Sequence, residues 1–172
     1  MLTATQLIAY SEEDPPAPLR IVADGQANAT VLVSVYADNQ TWEAADTLVD
    51  YVHRSTGTVL PIVTDAAFAA GGNNDEGILI YVGLSAPDDD PGISQQLQGM
   101  DNDGFIIASQ GNHMTIIGPS SWGTRLGVYE FLERYVGVMW LMPAEFAVSH
   151  PEFYPMRNGA RYIPRCRLTR KL

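Results

Sequence analysis

The sequence predicts an α+β fold, a mixed β-sheet with two main helices packed on one face. Three observations carry this expectation. Short β-rich apolar runs recur from Leu19 onward, two longer stretches carry apolar residues at helical spacing, and one hairpin signal breaks the strand–helix alternation. The chain has 172 residues, a length that suits one domain with a core of its own.

Residues 1–18 read as a flexible leader or linker, because the run Ser11-Glu-Glu-Asp-Pro-Pro-Ala-Pro18 is acidic and proline-rich. No basic n-region with a long apolar h-region is visible there. No apolar run reaches the ~18 residues of a membrane span. Localisation stays open, and an exported parent chain would carry its signal elsewhere.

Residues 19–23 and 30–36 are β-rich and flank Asp24-Gly25, which suggests two paired strands, the second of them buried. Thr41 is positioned to cap a helix in which Ala45, Leu48, Val49 and Val52 form one apolar stripe and Gly57 ends the run. Residues 60–63 form a short strand, and 66–76, small and glycine-rich, a surface loop. Residues 77–83 are a compact apolar strand. Asp88-Asp-Asp-Pro91 is a turn, and 93–97 a short helix. Residues 105–109 and 113–117 pair as a hairpin around Gln110-Gly111-Asn112. Ser121 caps a second helix with Val128, Phe131, Leu132 and Tyr135 as its stripe, an i, i+4 pair in Glu130 and Arg134, and Gly137 at its end. Residues 138–142 and 161–168 are the last strand candidates.

Charge is very unevenly distributed. The whole chain carries 20 acidic and 10 basic side chains, a formal net charge of -10. Residues 1–124 hold only two of the bases, Arg20 and Arg54, whereas six crowd into 157–172. The acidity of the body argues against nucleic acid as a partner, and no feature points to a membrane. The basic end is either a functional arm or a segment leading toward a neighbour.

Candidate chemistry is sparse. The single cysteine, Cys166, excludes a disulfide framework and a cysteine-rich zinc site. It lies between Arg165 and Arg167, which favour a thiolate, but no histidine is near in sequence. His53, His113 and His150 are far apart, and no H-E-x-x-H occurs. His53 suits the end of the first helix, where a cation complements the dipole. The loop Gly118-Pro-Ser-Ser-Trp-Gly123 lacks the Gly-Lys-Ser/Thr of a phosphate loop. Asp88, Asp89 and Asp90 read as a solvated turn rather than a calcium site. Trp42, Trp122, Trp140 and Tyr154 are candidate sugar-stacking rings. Trp140 is expected in the core and Trp122 on the surface, so Trp122 is the speculative sugar contact. Catalytic residues, metal ligands and cofactor-binding residues are expected to be none.

The run from Gly118 through Gly123-Thr124, the helix Gly127-Val-Tyr-Glu-Phe-Leu-Glu133 and the exit Gly137-Val-Met-Trp-Leu-Met-Pro143 resembles one family in particular. It is the non-catalytic α/β domain that precedes the barrel in bacterial α-glucuronidases, in β-N-acetylhexosaminidases and in related uncharacterised bacterial proteins. Residues 44–57, Leu60-Pro61-Ile62, 78–83 and 103–107 resemble its earlier segments in the same order. The resemblance implies a zincin-like topology without the metal site, and catalytic acids in a following barrel. It divides the chain into a leader (1–18), an accessory domain (19–156) and a basic segment (157–172) that runs toward a barrel absent here. On this reading the partner is the catalytic barrel of the same polypeptide, with carbohydrate as a second candidate. Two alternatives stand beside it: an independent carbohydrate-binding module, and a stand-alone interaction module using the basic segment.

Overall fold

The computed structural model describes residues 19–71, 77–86 and 92–140, and the backbone alone at 148–149, 162–163 and 168–170. In chain order the elements begin with β1 (Leu19–Arg20), β2 (Val22–Ala23), β3 (Gln26–Ala27), β4 (Ala29–Val33) and α1 (Asn39–Thr56). They continue with β5 (Ile62–Thr64), α2 (Asp65–Ala70), β6 (Ile78–Val82), α3 (Gly92–Gln98), β7 (Phe105–Gln110), β8 (His113–Ile117) and α4 (Ser121–Phe131). A π-type turn, Leu132–Val136, extends α4 and leads to β9 (Met139–Trp140), β10 (Val148–Ser149), β11 (Tyr162–Ile163) and β12 (Leu168–Arg170).

The principal sheet has six strands in the order β12-β7-β8-β6-β4-β5. β5, β4, β6 and β8 are mutually parallel, and β7 returns antiparallel to β8. The sheet is mixed, as its sequence predicts. Gly111 allows the two-residue return: its φ is +56°, the geometry that favours glycine at the first central position of a II′ turn.

The strand runs are almost wholly apolar because both faces of the sheet are covered. Successive side chains point to opposite faces. Val31, Val33, Ile78, Ile80, Val82, Phe105, Ile107, Met114 and Ile116 all join the core formed with α1 and α4. The alternate residues face the other way. Leu32, Leu79 and Tyr81 pack with Phe68 of α2, while Ile106, Ala108 and Ile117 pack with Ile93 and Leu97 of α3. The two main helices therefore share one face, as expected, and two short helices cover the opposite one. The short helix α2 takes up residues 66–70 of the loop expected over 66–76, of which 72–76 lie outside the described residues. Thr64 accepts from the Ala67 N–H and caps a segment rich in alanine, the strongest helix former.

Several boundaries move. Residues 19–23 do not pair with 30–36. Asp24 and Gly25 both have positive φ, 52° and 75°, so they form a tight turn that pairs β2 with β3 instead. β1 pairs with β11, and β12 with β7, so the single strand expected at 161–168 is two short segments with different partners. β4 stops at Val33, which leaves Val35 and Tyr36 outside the core. Both main helices are capped earlier than expected. Asp38, not Thr41, caps α1 by accepting from the Thr41 N–H at 2.8 Å, and Ser120, not Ser121, caps α4 by accepting from the Gly123 N–H at 3.1 Å. Gly57 and Gly137 end their helices in the left-handed region, as expected. The strand expected at 138–142 is two described residues, β9, paired with β10.

One contact fixes α4 over the hairpin. The first turn of α4 lies directly on the turn before β7, backbone against backbone. A Cβ on Gly123 would overlap the Gly104 carbonyl oxygen and lie 2.9 Å from the Asn102 carbonyl oxygen. One on Gly118 would lie 2.6 Å from the Thr124 nitrogen. Ser120 closes the same joint, its hydroxyl donating to the Asn102 carbonyl. One turn further along the helix, a Cβ on Gly127 would meet side-chain atoms of Ile116 and Phe105 at 3.0 Å or more.

This contrast makes a prediction. Alanine gains about 1 kcal/mol over glycine in a helix interior, yet Gly123→Ala forces backbone apart and is expected to cost ~2 kcal/mol net, in the range for overpacked sites. Gly127→Ala meets side-chain atoms, which shift more readily, and costs less. Denaturant unfolding of both variants checks the order; an equal or reversed ranking contradicts the joint.

Candidate functional site

The described surface carries two groups of exposed or half-buried aromatic side chains. The first lies along the outer side of the α1–α4 pair. Trp140 is 36% exposed rather than in the core, because β9 leaves the sheet region and lays its side chain across the helices. Its ring sits 5.0 Å from that of Tyr51 on α1 and 5.0 Å from that of Tyr129 on α4. Met139 beside it is 53% exposed. Arginines flank both tyrosines: Arg54 lies 5.3 Å from the Tyr51 ring centre and Arg125 5.6 Å from that of Tyr129. Arg125 also donates to the Tyr129 hydroxyl at 2.8 Å and stands 3.7 Å from Glu43. Arg54 pairs with Asp50 at 2.9 Å. Trp, Tyr, Met and Arg together are the composition of a protein contact surface. Trp140 packs edge to face on Tyr51 and at a tilt on Tyr129, and both tyrosines lie beside guanidinium groups.

The second group sits where the parallel strands β4, β6 and β8 end and the main helices begin. Tyr36 is 93% exposed on the loop into α1, and Trp122 is 47% exposed on the first turn of α4. The two turns are tied together. Ser121 donates to Gln40 Oε1 at 2.8 Å and also reaches Asp38. A hydroxyl carries one proton, so the two acceptors compete for it. Gly83, at the end of β6, lies beneath both turns: a Cβ there would lie 2.6 Å from Thr41 Cγ2 and 3.7 Å from Thr124 Cγ2. Hydrogen bonds from the Thr41 N–H, the Thr41 hydroxyl and Ser121 hold the Asp38 carboxyl below the ordinary carboxylate range. That carboxylate already supplies the negative charge which a helix N-terminus attracts. The Gly118–Gly123 loop is likewise closed by Ser120 and by Thr124, whose hydroxyl accepts from the Gly118 N–H at 3.0 Å. Neither helix start is an open anion cradle.

The other candidates are dispersed. His53 is exposed in the last turn of α1. His113 packs against Tyr81 at the start of β8. Among the described residues, no three His, Cys, Asp or Glu side chains converge, and no helix is long and apolar enough to cross a membrane. Trp42 packs partly buried against the core. Cys166, His150, Tyr154 and Asp88–Asp90 lie outside the described residues. Tyr36, Tyr51, Tyr129 and Met139 were not singled out by sequence. Tyr36 was hidden in an apolar run. Tyr51 and Tyr129 each sit one position off a buried stripe, where a helix flank meets solvent.

The fold is a mixed-sheet α+β module with exposed aromatic side chains at two places on its described surface. No protein-family model matches the sequence, and no curated protein matches it. Solved structures do. The GH20 β-N-acetylhexosaminidase of Streptomyces coelicolor A3(2) aligns at TM-score 0.50 and 18% identity, over 91% of this chain and 24% of that one. A β-hexosaminidase of Streptomyces plicatus aligns at TM-score 0.43 and 19% identity, over 88% of this chain and 24% of that one. A family GH115 4-O-methyl-α-glucuronidase aligns at TM-score 0.41 and 18% identity, over 77% and 17%. These neighbours are glycoside hydrolases, and this chain spans a quarter of their length or less. The first alignment shows a shared fold.

Asp38 gives a pH prediction. Its pKa in the fold lies below its unfolded value, so its stabilising effect is complete above the unfolded value of about 3.9 and is lost as pH falls through the folded one. Asp38→Ala removes a helix cap and is expected to cost about 1 kcal/mol at pH 7. Asp38→Asn keeps a capping oxygen and loses less. Urea titrations of all three proteins at pH 7 and near pH 3 check this; a wild-type advantage that does not shrink at the acid end contradicts it.

Proposed function

We propose that the chain is a non-catalytic accessory domain of a carbohydrate-processing, glycoside hydrolase-like protein, and that it packs against a following catalytic barrel and supports it. One observation carries this reading. Trp140 lies, exposed, against the rings of Tyr51 on α1 and Tyr129 on α4, with the exposed Met139 next to it in the chain. Burying such a strip against a neighbour removes apolar surface from water at roughly 25 cal/mol per Å². Arg54 and Arg125 then supply the charged rim. The shared fold with a β-N-acetylhexosaminidase, of which this chain spans 24%, supports a neighbouring domain as the occupant. The sequence resemblance to the domain that precedes such barrels supports the same order.

Met139→Ala combined with Trp140→Ala tests it in the full natural polypeptide. The double substitution is expected to leave the circular dichroism spectrum of the 172-residue chain unchanged. In the longer polypeptide it is expected to split one melting transition into two, and to lower the first by several degrees, as a loss of ~2 kcal/mol would. A single unaltered transition contradicts docking through this face.

A further inference from the structure

We infer that the edge carrying Tyr36 and Trp122 is a saccharide-contact surface, suited to a neutral or N-acetylated pyranose oligomer. This goes beyond the docking reading and uses different residues.

The two rings differ from those on the helix pair. Among the described residues, no aromatic ring or guanidinium group packs on Tyr36 or Trp122, whereas Tyr51, Tyr129 and Trp140 are mutually engaged. An open aromatic face is electron-rich. It complements the apolar, weakly positive C–H face of a pyranose ring. The rings also stand on firm bases. Trp122 lies in the first turn of α4, held by Ser120 and by the close approach of Gly123. Tyr36 is two residues before the capping Asp38, a span of at most ~7 Å. Its N–H donates to the Ser34 hydroxyl oxygen at 3.2 Å, and the next-door Val35 N–H donates to Asp65 Oδ1 at 2.9 Å.

Polar groups suited to sugar hydroxyls lie on the two joined segments that carry the rings. Asp38 is exposed and Gln40 half-buried, and Ser121 joins them. A carboxylate accepts from hydroxyl groups, and a carboxamide both donates and accepts. The charge of this edge selects among sugars. Asp38 and Asp65 are acidic, and the segments 34–41 and 118–124 contain no lysine or arginine. Arg125, one residue beyond, is engaged with Tyr129 and Glu43. A uronate therefore meets like charge, while a neutral or N-acetylated sugar does not.

Titration of the 172-residue protein with chitotetraose, xylotetraose and tetragalacturonate, followed by tryptophan fluorescence and amide NMR shifts, tests this. At least one neutral oligomer is expected to bind saturably with Kd on the order of 1 mM, and tetragalacturonate at least about tenfold more weakly. Trp122→Ala and Tyr36→Ala are each expected to weaken binding about tenfold, while Trp122→Phe, which keeps a ring, retains most of it. Trp140→Ala is expected to leave binding unchanged. Circular dichroism verifies that each variant is folded. Absence of saturable binding by both neutral oligomers overturns the inference. So does equal or tighter binding of tetragalacturonate, or binding that survives both Trp122→Ala and Tyr36→Ala.

Discussion

The structure depends on one close approach, the backbone of α4's first turn lying against the backbone of residues 102–104. Only glycine at 118 and 123 permits it. Because the turn before β7 is fixed to the start of α4, the hairpin and the helix behave as one piece. That piece sets the angle at which α4 crosses the sheet. It also brings Ser121 to Asp38 and Gln40, which joins α4 to the start of α1. The side-by-side helix pair, and hence the aromatic strip across it, follows from that joint. So does the placement of Trp122 beside the loop that carries Tyr36.

The two surfaces answer to different physics. On the helix pair, rings contact rings and arginines, which fixes their shape and leaves an apolar ridge with a charged border. Such a ridge gains by being covered whole, as at the centre of a protein interface. At the strand ends, two exposed rings stand on joined segments that also carry carboxylate, amide and hydroxyl groups. That arrangement gains by admitting a polar ligand with an apolar face. The proposed protein contact on one surface and sugar contact on the other are compatible within one domain, since no described residue is required by both.

Much of the fold was legible because the strand runs are short, apolar and bounded by turn residues. The mixed sheet, the hairpin at Gly111 and the stripes of both long helices follow from periodicity alone. Misreadings arose where a local signal had two outcomes. Asp38 and Thr41 are both competent caps, and the carboxylate, three residues earlier, wins. Asp24-Gly25 marks a turn, but not which strand it returns to. Thr64 followed by alanines forms α2 within a stretch that glycines make look irregular. For the contact surfaces, Trp122 was legible as a loop aromatic entering a helix. Trp140 was not, because an apolar strand and an apolar ridge have the same composition. Tyr36 sat at the end of a run whose buried part stops three residues sooner. The glycine joint shows in sequence as Gly104, Gly118 and Gly123, yet their contact is a tertiary fact.

On the docking proposal, the helix-pair ridge is covered by another domain while the strand-end edge stays open to solvent. Hydroxyl-radical footprinting reads both at once, since methionine and aromatic side chains react in proportion to exposure. The isolated 172-residue chain is to be compared with the full natural polypeptide. Strong protection of Met139 and Trp140 is expected in the longer polypeptide, with Tyr36 and Trp122 equally reactive in both. Equal reactivity of Met139 and Trp140 in the two samples would contradict it.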